Sequence, residues 1–513
     1  MDTITNMSYG LSVALQPDNL VWSIFGVLVG NLIGVLPGIG VLTAISILLP
    51  LTYAMSPVAA MMMLAGIYYG AQYGGGITSI LLNLPGTPTN VPTCLDGNPL
   101  ARQGKAGSAL FMLILSSFSG AIVGITILML FAPLLAKVAY SFGPAEYFAM
   151  ITLGLVAGST LAKGSPVKSL AMVVLGLILG VVGVDVNTGV NRFTFGVTEL
   201  GDGLSLIAMA MGLFGVADFL SNINLPQRRL PNTDRKGLWA MMRSTRPEPG
   251  DVRKAIGPIS RGSMVGSALG VLPGTGSLIA TFMAYAIEKK ISRTPERFGR
   301  GAIEGVAAPE AANNSAAQTG FVPTLVLGIP GDPVMALMLG ALILHGIQPG
   351  PALMVDNADI FWGLIASFFI GNVILVLVNL PLVGMWVKLL SIPYKYLFPF
   401  ALLCVAIGVY SVNYSLVAVT MVIAFGVMGF VLRKMKFEAA PLLLGFVLGP
   451  MFEENFRRAL LMSRGDLGVF FVKPISAGFL TVTILLLIWL IVSGMRYRKA
   501  RFSSAAHRKT EVQ

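Results

Sequence analysis

Hydrophobic positions along this chain gather into long runs, and the polar positions between them form short clusters of Gly, Pro, Ser, Thr and Asn. A membrane-spanning helix needs about 20 mostly apolar residues. Runs suited to that length lie near 58–75, 109–136, 145–162, 168–184 and 203–221. They return near 301–320, 360–387, 397–413, 414–432, 437–451 and 475–495. Apolar residues do not alternate with polar ones along ~10-residue strands, which argues against a membrane β-barrel. The pattern predicts an all-α polytopic membrane protein with roughly 11–14 membrane segments, including broken or re-entrant helices.

Composition narrows the class. Of 513 residues, 55% are hydrophobic and 11% charged, and the mean hydropathy is +0.79. A soluble domain carries about 25% charged residues. A cytosolic enzyme, an extended disordered chain and a coiled coil are therefore excluded. The two cysteines, Cys94 and Cys404, sit in apolar or loop context and support neither a disulfide framework nor a Cys-based metal site.

The net charge of +12 is concentrated in two places. Residues 222–261 hold nine basic side chains against three acidic, and 496–513 hold six against one. Beside so much apolar sequence these read as cytoplasmic segments under the positive-inside rule, with no nucleic-acid partner. No Lys or Arg precedes Arg102, and none lies between Arg300 and Lys388, so loops there are expected outside. That places the N-terminus outside and the C-terminus in the cytoplasm. No basic n-region precedes the first apolar run, so a cleaved signal peptide is not expected. The chain divides into a first half at 1–221, a basic linker at 222–261, a second half at 262–495 and a basic tail at 496–513.

The halves repeat one another. Gly26, Gly30, Gly34, Val35, Leu36, Pro37, Gly38 and Gly40 recur 236 positions later as Gly262, Gly266, Gly270, Val271, Leu272, Pro273, Gly274 and Gly276. Leu84-Pro85-Gly86-Thr87-Pro88 recurs 245 positions later as Ile329-Pro330-Gly331-Asp332-Pro333, and Gln72 corresponds loosely to Gln318. Basic residues flank 262–287 on both sides and flank 20–55 on neither. A hairpin that enters and returns on one side satisfies each pattern; spans with Pro kinks are the alternative. Hairpins entering from opposite sides predict two inverted-topology repeats.

Pro and Gly within membrane segments free backbone N–H and C=O groups, which survive only against protein or a polar cavity. Four such breaks, at 36–40, 85–88, 272–276 and 329–333, are candidate sites. N–H groups there suit an anion and carbonyl ends a cation. The proposed anion contacts are Pro37, Gly38, Gly40, Asn83, Pro85, Gly86, Thr87, Thr89, Pro273, Gly274, Thr275, Gly276 and Ser277. Gln72, Thr78, Ser79 and Asn90 lie close by. Glu310 is an ionisable group in an apolar run, with Asn313 and Asn314 on its helix face, and is a functional candidate by that cost alone. With Gln318, Gly331 and Asp332 these residues form the candidate ion-coupling set; a structural cap is the alternative role for Asp332. Small glycines such as Gly26, Gly30, Gly262 and Gly266 read as helix-packing positions. His345 is a weaker candidate for proton relay, an interhelical hydrogen bond being favoured. Asp185, Arg192, Glu199 and Asp202 read as a solvated loop, and Glu453, Glu454, Arg457 and Arg458 as an interfacial cluster. No nucleotide loop, metal set or nucleophile motif is present, so neither an enzyme nor an ATP-driven pump is expected, and no cofactor beyond a coupling Na⁺ or H⁺.

These motifs resemble the large permease subunit of the tripartite tricarboxylate transporters, the TctA type. The resemblance is carried by GVLPGIG at 34–40, YYGAQYGGGITSILLNLPGTPTNVPTCLDGNPLARQGKAG at 68–107, GVLPGTG at 270–276 and AAPEAANNSAAQTGFVPTLVLGIPGDPVMALMLGALILHGIQPGP at 307–351. It implies an ion-driven importer of carboxylates in the bacterial inner membrane. It also implies a small membrane subunit of the TctB type and a periplasmic solute-binding protein of the TctC type. An anion channel and, more remotely, an intramembrane enzyme are the other classes open to such a chain.

Overall fold

A computed structural model describes residues 3–36, 40–160, 165–185, 188–222, 247, 249–272, 276–389, 406–407, 409–410 and 415–490. Among them the only strands are one two-residue antiparallel pair, Gly183–Val184 with Asn191–Arg192. Four helical runs are long and apolar enough to cross a bilayer: Pro17–Val35, Pro88–Ala139, Ala358–Pro381 and Leu416–Lys434. Shorter apolar helices include Val41–Ala54, Pro166–Gly180, Leu206–Ser221, Pro333–Leu344 and Pro474–Leu490. The chain forms two compact units, Met1–Tyr140 with Ser205–Phe430, and Ser141–Leu204 with Val431–Gln513.

In the first unit the helices that matter are α1 (Pro17–Val35), α2 (Val41–Leu48), α3 (Pro57–Leu82), α4 (Val91–Leu100) and α5 (Ala106–Ala139). Later in the chain come α6 (Asp251–Gly270), α7 (Gly276–Ile291), α8 (Glu304–Thr319), α9 (Phe321–Leu327), α10 (Pro333–Leu344) and α11 (Ala358–Leu389). Local chemistry sets their ends. Ser56 caps α3, accepting from the Ala59 N–H at 3.3 Å, with Pro57 pre-set for the first turn. The same helix stops at Asn83, in the left-handed region at φ 55°, two residues before Pro85. In the second half α9 stops at Gly328, φ 70°, two residues before Pro330. The two left-handed stops are separated by the 245 positions that relate the PG motifs.

Two helices are buried along almost their whole length. Val58 to Ile80 of α3 and Gly305 to Thr319 of α8 are all buried. Each is gripped by a glycine ridge. A Cβ added at Gly26, Gly30 or Gly34 of α1 would lie 2.2–2.3 Å from the carbonyl oxygens of Met63, Ile67 and Ala71 on α3. A Cβ at Gly262, Gly266 or Gly270 of α6 would lie 2.3–2.6 Å from those of Ala308, Ala312 and Ala316 on α8. The glycines are related by the 236-residue offset and the carbonyls by 245, so both halves use one packing register. Helices in lipid lack a hydrophobic drive toward one another and associate through such close backbone approach. This register pairs Gln318 with Tyr73, and not with Gln72. Helix α5 completes the grip on α8: a Cβ at Gly120 would lie 2.2 Å from the Ala311 carbonyl oxygen.

The second unit holds an ion cluster on the helix Ala440–Met462. Arg457 pairs with Asp185 at 2.8 Å and Glu453 at 2.7 Å, and Arg192 reaches Glu453 at 2.6 Å and Asp185 at 3.4 Å. This corrects the expectation of a solvated loop for two of its four residues: the Asp185 side chain is 5% exposed and held between two guanidinium groups. Glu199 and Asp202 are exposed, as expected.

Candidate substrate and ion site

Glu310 stands in the buried helix α8 and is 0% exposed. An unpaired carboxylate in such a place is costly. Three donors meet it, all from the first half of the chain. Oε1 accepts from Asn90 Nδ2 at 3.0 Å and from the Thr93 hydroxyl, and Oε2 accepts from Ser117 Oγ at 3.3 Å. Asn90 and Thr93 flank the start of α4, immediately after the PG break, while Ser117 comes from α5.

The loop after the break is itself a hydroxyl–amide network. The Thr87 hydroxyl donates to Asn90 Oδ1 at 2.5 Å and lies 2.8 Å from that of Thr89, which donates to Gln72 Oε1 at 2.9 Å. Glycine is required beneath it. A Cβ at Gly75 would fall 2.3 Å from Asn90 Oδ1, and one at Gly76 would sit 3.3 Å from Glu310 Oε1.

Asp332 takes the corresponding position in the second half, where Thr87 stands in the first. Its Oδ1 accepts from the Met335 N–H at 2.9 Å, capping α10, and its Oδ2 accepts from Tyr68 Oη at 2.5 Å. The side chains of Ser277 and Gln72 also lie within reach of the Tyr68 hydroxyl. Tyr68 therefore joins three elements: the start of α7, the PG break of the second half and the Gln72 network of the first. The free N–H groups of α10, expected to face an anion, are partly taken by the Asp332 carboxylate.

Several buried polar atoms on α8 and α5 have no partner among the described residues. Asn313 faces Glu310, yet neither its Nδ2 nor its Oδ1 makes a well-formed hydrogen bond. Both amide atoms of Gln318, Asn314 Oδ1 and Ser116 Oγ are likewise unpaired. Asn314 Nδ2 donates to the Glu310 carbonyl at 3.0 Å. Buried polar groups are nearly always satisfied, and each exception costs about 1–3 kcal/mol. Oxygen-rich amide, hydroxyl and carboxylate groups suit a hard cation or a polar solute.

The other sequence candidates divide. Pro37, Gly38, Pro273, Gly274 and Thr275 lie outside the described residues. Gly40 caps α2, Gly276 opens α7, and Ser277 is buried. Gly86 packs on Gly75, and the Gly331 N–H donates to Thr324 Oγ1 at 3.3 Å. Asn83 and Pro85 are exposed and stand apart from the Glu310 network. His345 does not make the hydrogen bond expected of it: its Nε2 is unpaired, and its ring lies 6.4 Å from that of Tyr53. Tyr68, Thr93 and Ser117 were not singled out from sequence. Their partners are remote in the chain, and nothing local marks one hydroxyl above another.

Long buried helices broken at paired PG turns, with an enclosed carboxylate between them, define a multi-pass α-helical membrane protein. The sequence model of the tripartite tricarboxylate transporter TctA family matches residues 20–444, and the chain belongs to that family. It is 50% identical over 500 residues to an uncharacterized 52.8 kDa protein in the TAR-I ttuC' 3'region of Agrobacterium vitis, covering 97% of this chain and 98% of that one. It is 52% identical over 234 residues to an uncharacterized protein in the TAR-II ttuC' 3'region of the same organism, covering 46% of this chain and 97% of that one. No solved structure matches the chain. The protein is thus a subunit of a tricarboxylate transporter system.

Proposed function

We propose that this chain is the large permease subunit of a binding-protein-dependent secondary transporter that imports tricarboxylates or related carboxylates across the bacterial inner membrane. A Na⁺ or H⁺ gradient drives it. A small membrane subunit of the TctB type and a periplasmic solute-binding protein of the TctC type complete the system. The N-terminus is periplasmic and the C-terminus cytoplasmic, as the distribution of Lys and Arg requires.

The observation that carries this reading is Glu310: a fully buried carboxylate, donated to by three side chains from the opposite half, with Asn313 facing it and, further along the same helix, the unpaired amide of Gln318. A proton or Na⁺ entering there neutralises the charge, and its departure restores it. Because Asn90 shares a turn with Thr87 and Thr89, and Thr93 lies in the first turn of α4 directly after it, occupancy at Glu310 is mechanically tied to the break that faces the substrate. Ser277, Thr87 and Thr89 supply hydroxyls for the carboxylate, and Asp332 holds Tyr68 beside them.

The test is uptake of radiolabelled citrate and other di- and tricarboxylates into proteoliposomes holding the chain, its small subunit and its binding protein. The expected result is saturable accumulation that needs both an imposed Na⁺ or H⁺ gradient and the binding protein, and that Glu310→Gln abolishes. Flux that ignores gradient and binding protein would make the chain a channel and overturn the reading.

A further inference from the structure

A cavity of about 560 Å³ opens in the first unit beside α4 and the turn that follows it. Its walls include Arg102 and Arg300, with Asn83, Asn98, Gln103 and Cys94. Its size falls in the ~300–1,000 Å³ range of small-molecule sites. The two arginines come from different halves of the chain. Arg102 lies in the π turn Ala101–Lys105 after α4, and Arg300 lies in the segment leading to α8. Among the described residues no carboxylate pairs with either guanidinium, although the nearby Arg297 pairs with Glu304 at 3.6 Å.

The second wall is held in place by a buried carboxylate of the first. Asp96 is 0% exposed, and its Oδ1 accepts from the N–H groups of Gly299, Gly301 and Ala302 at 2.8–2.9 Å. Its Oδ2 accepts from Tyr285 Oη at 2.8 Å. Gln103 Nε2 adds a bond to the Arg300 carbonyl at 2.8 Å. Asp96 is thereby spent on backbone amides and a phenol, and leaves the two arginines uncompensated. The cavity also reaches toward the buried site: Cys94, on its wall, adjoins Thr93, a donor to Glu310.

We propose that this cavity is the cytoplasmic vestibule of the carrier, in which Arg102 and Arg300 receive the multiply charged carboxylate as it leaves the Glu310 chamber. The assignment rests on the carboxylate-importer reading. Guanidinium groups present fork-shaped donors that match carboxylates, and a concave site of one sign raises the local concentration of anions. The neighbouring basic residues Lys105, Lys289, Lys290, Arg293 and Arg297 put this mouth on the cytoplasmic face.

The test uses thiol chemistry in the purified full chain, with Cys404→Ser leaving Cys94 as the single thiol. Rates of modification by an anionic sulfonatoethyl methanethiosulfonate and a cationic trimethylammonioethyl methanethiosulfonate are compared. Leu95→Cys, at a cavity position 44% exposed, serves as a second probe if Cys94 reacts with neither. The anionic-to-cationic rate ratio is expected to fall about tenfold in Arg102→Gln/Arg300→Gln. Millimolar citrate is expected to slow modification in the parent and not in that variant, while trimethyl citrate has no effect in either. An unchanged ratio would overturn the proposal. So would a changed ratio without protection by citrate, or equal protection by inorganic phosphate or by nanodiscs of anionic lipid, each of which would leave only a general anion site. Labelling needs neither gradient nor partner subunit, so a failure here is distinct from a failure of uptake in proteoliposomes.

Discussion

At the scale of single residues, Asp332 shows how one carboxylate serves two ends. Its Oδ1 caps α10 and its Oδ2 fixes the Tyr68 hydroxyl, so removing it strands both the Met335 N–H and a buried phenol. Loss of a cap costs about 1 kcal/mol, and a stranded buried donor about 1–3 kcal/mol. Asp332→Ala is therefore expected to lower thermal stability in detergent by roughly 2–4 kcal/mol. Asp332→Asn, still a capping residue and an acceptor, is expected to lose less than about 1 kcal/mol. Equal losses in the two variants, measured by thermal unfolding, would remove the capping account. Glu310 is the contrasting case. Among the described residues no backbone group depends on its side chain, and its three donors are polar side chains, so capping does not account for its place in the buried core.

At the scale of helices, the paired glycine ridges dominate. Gly30 and Gly266 each stand where an added Cβ would meet a carbonyl oxygen at 2.3 Å, and neither backbone can yield without breaking a helix-on-helix register. Gly30→Ala and Gly266→Ala are each expected to cost about 1–3 kcal/mol, read as a drop in the unfolding midpoint or in the yield of monodisperse protein. Gly40→Ala is the internal control. Among the described residues a Cβ there meets only Thr43 Oγ1 at 3.9 Å, and the backbone φ of −77° suits any residue, so stability should be unchanged. Loss of stability in Gly40→Ala equal to that in Gly30→Ala would show that the helix breaks, and not the ridges, set the cost.

At the scale of the whole molecule, the two halves share their glycine register, their left-handed stops at Asn83 and Gly328, and their PG breaks. Opposite insertion of the halves is an expectation from the charge pattern, and it can be tested directly. Ala54→Cys and Thr294→Cys, both exposed, are expected to react with an impermeant thiol reagent from opposite sides of the membrane in a cysteine-free background. Reaction of both from the same side would end the inverted arrangement while leaving the duplication intact.

Much of this architecture was legible before any coordinates. Hydropathy marked the membrane class, Pro-Gly chemistry marked the breaks, and an ionisable residue in an apolar run singled out Glu310. These signals are local in the chain, set by burial cost and backbone sterics over a few residues. The partners of Glu310 were not legible, because Asn90, Thr93 and Ser117 lie 220, 217 and 193 positions away and only the packing of α4, α5 and α8 selects them. The same holds for Asp185, which reads as a loop residue until the fold brings it to Arg457, 272 positions away. The sequence by itself determined that the chain is a broken-helix membrane protein of this family. Tertiary structure alone decided which hydroxyls and amides surround its carboxylates, since hydrogen-bond partners follow from which helices touch, and glycine ridges choose that contact.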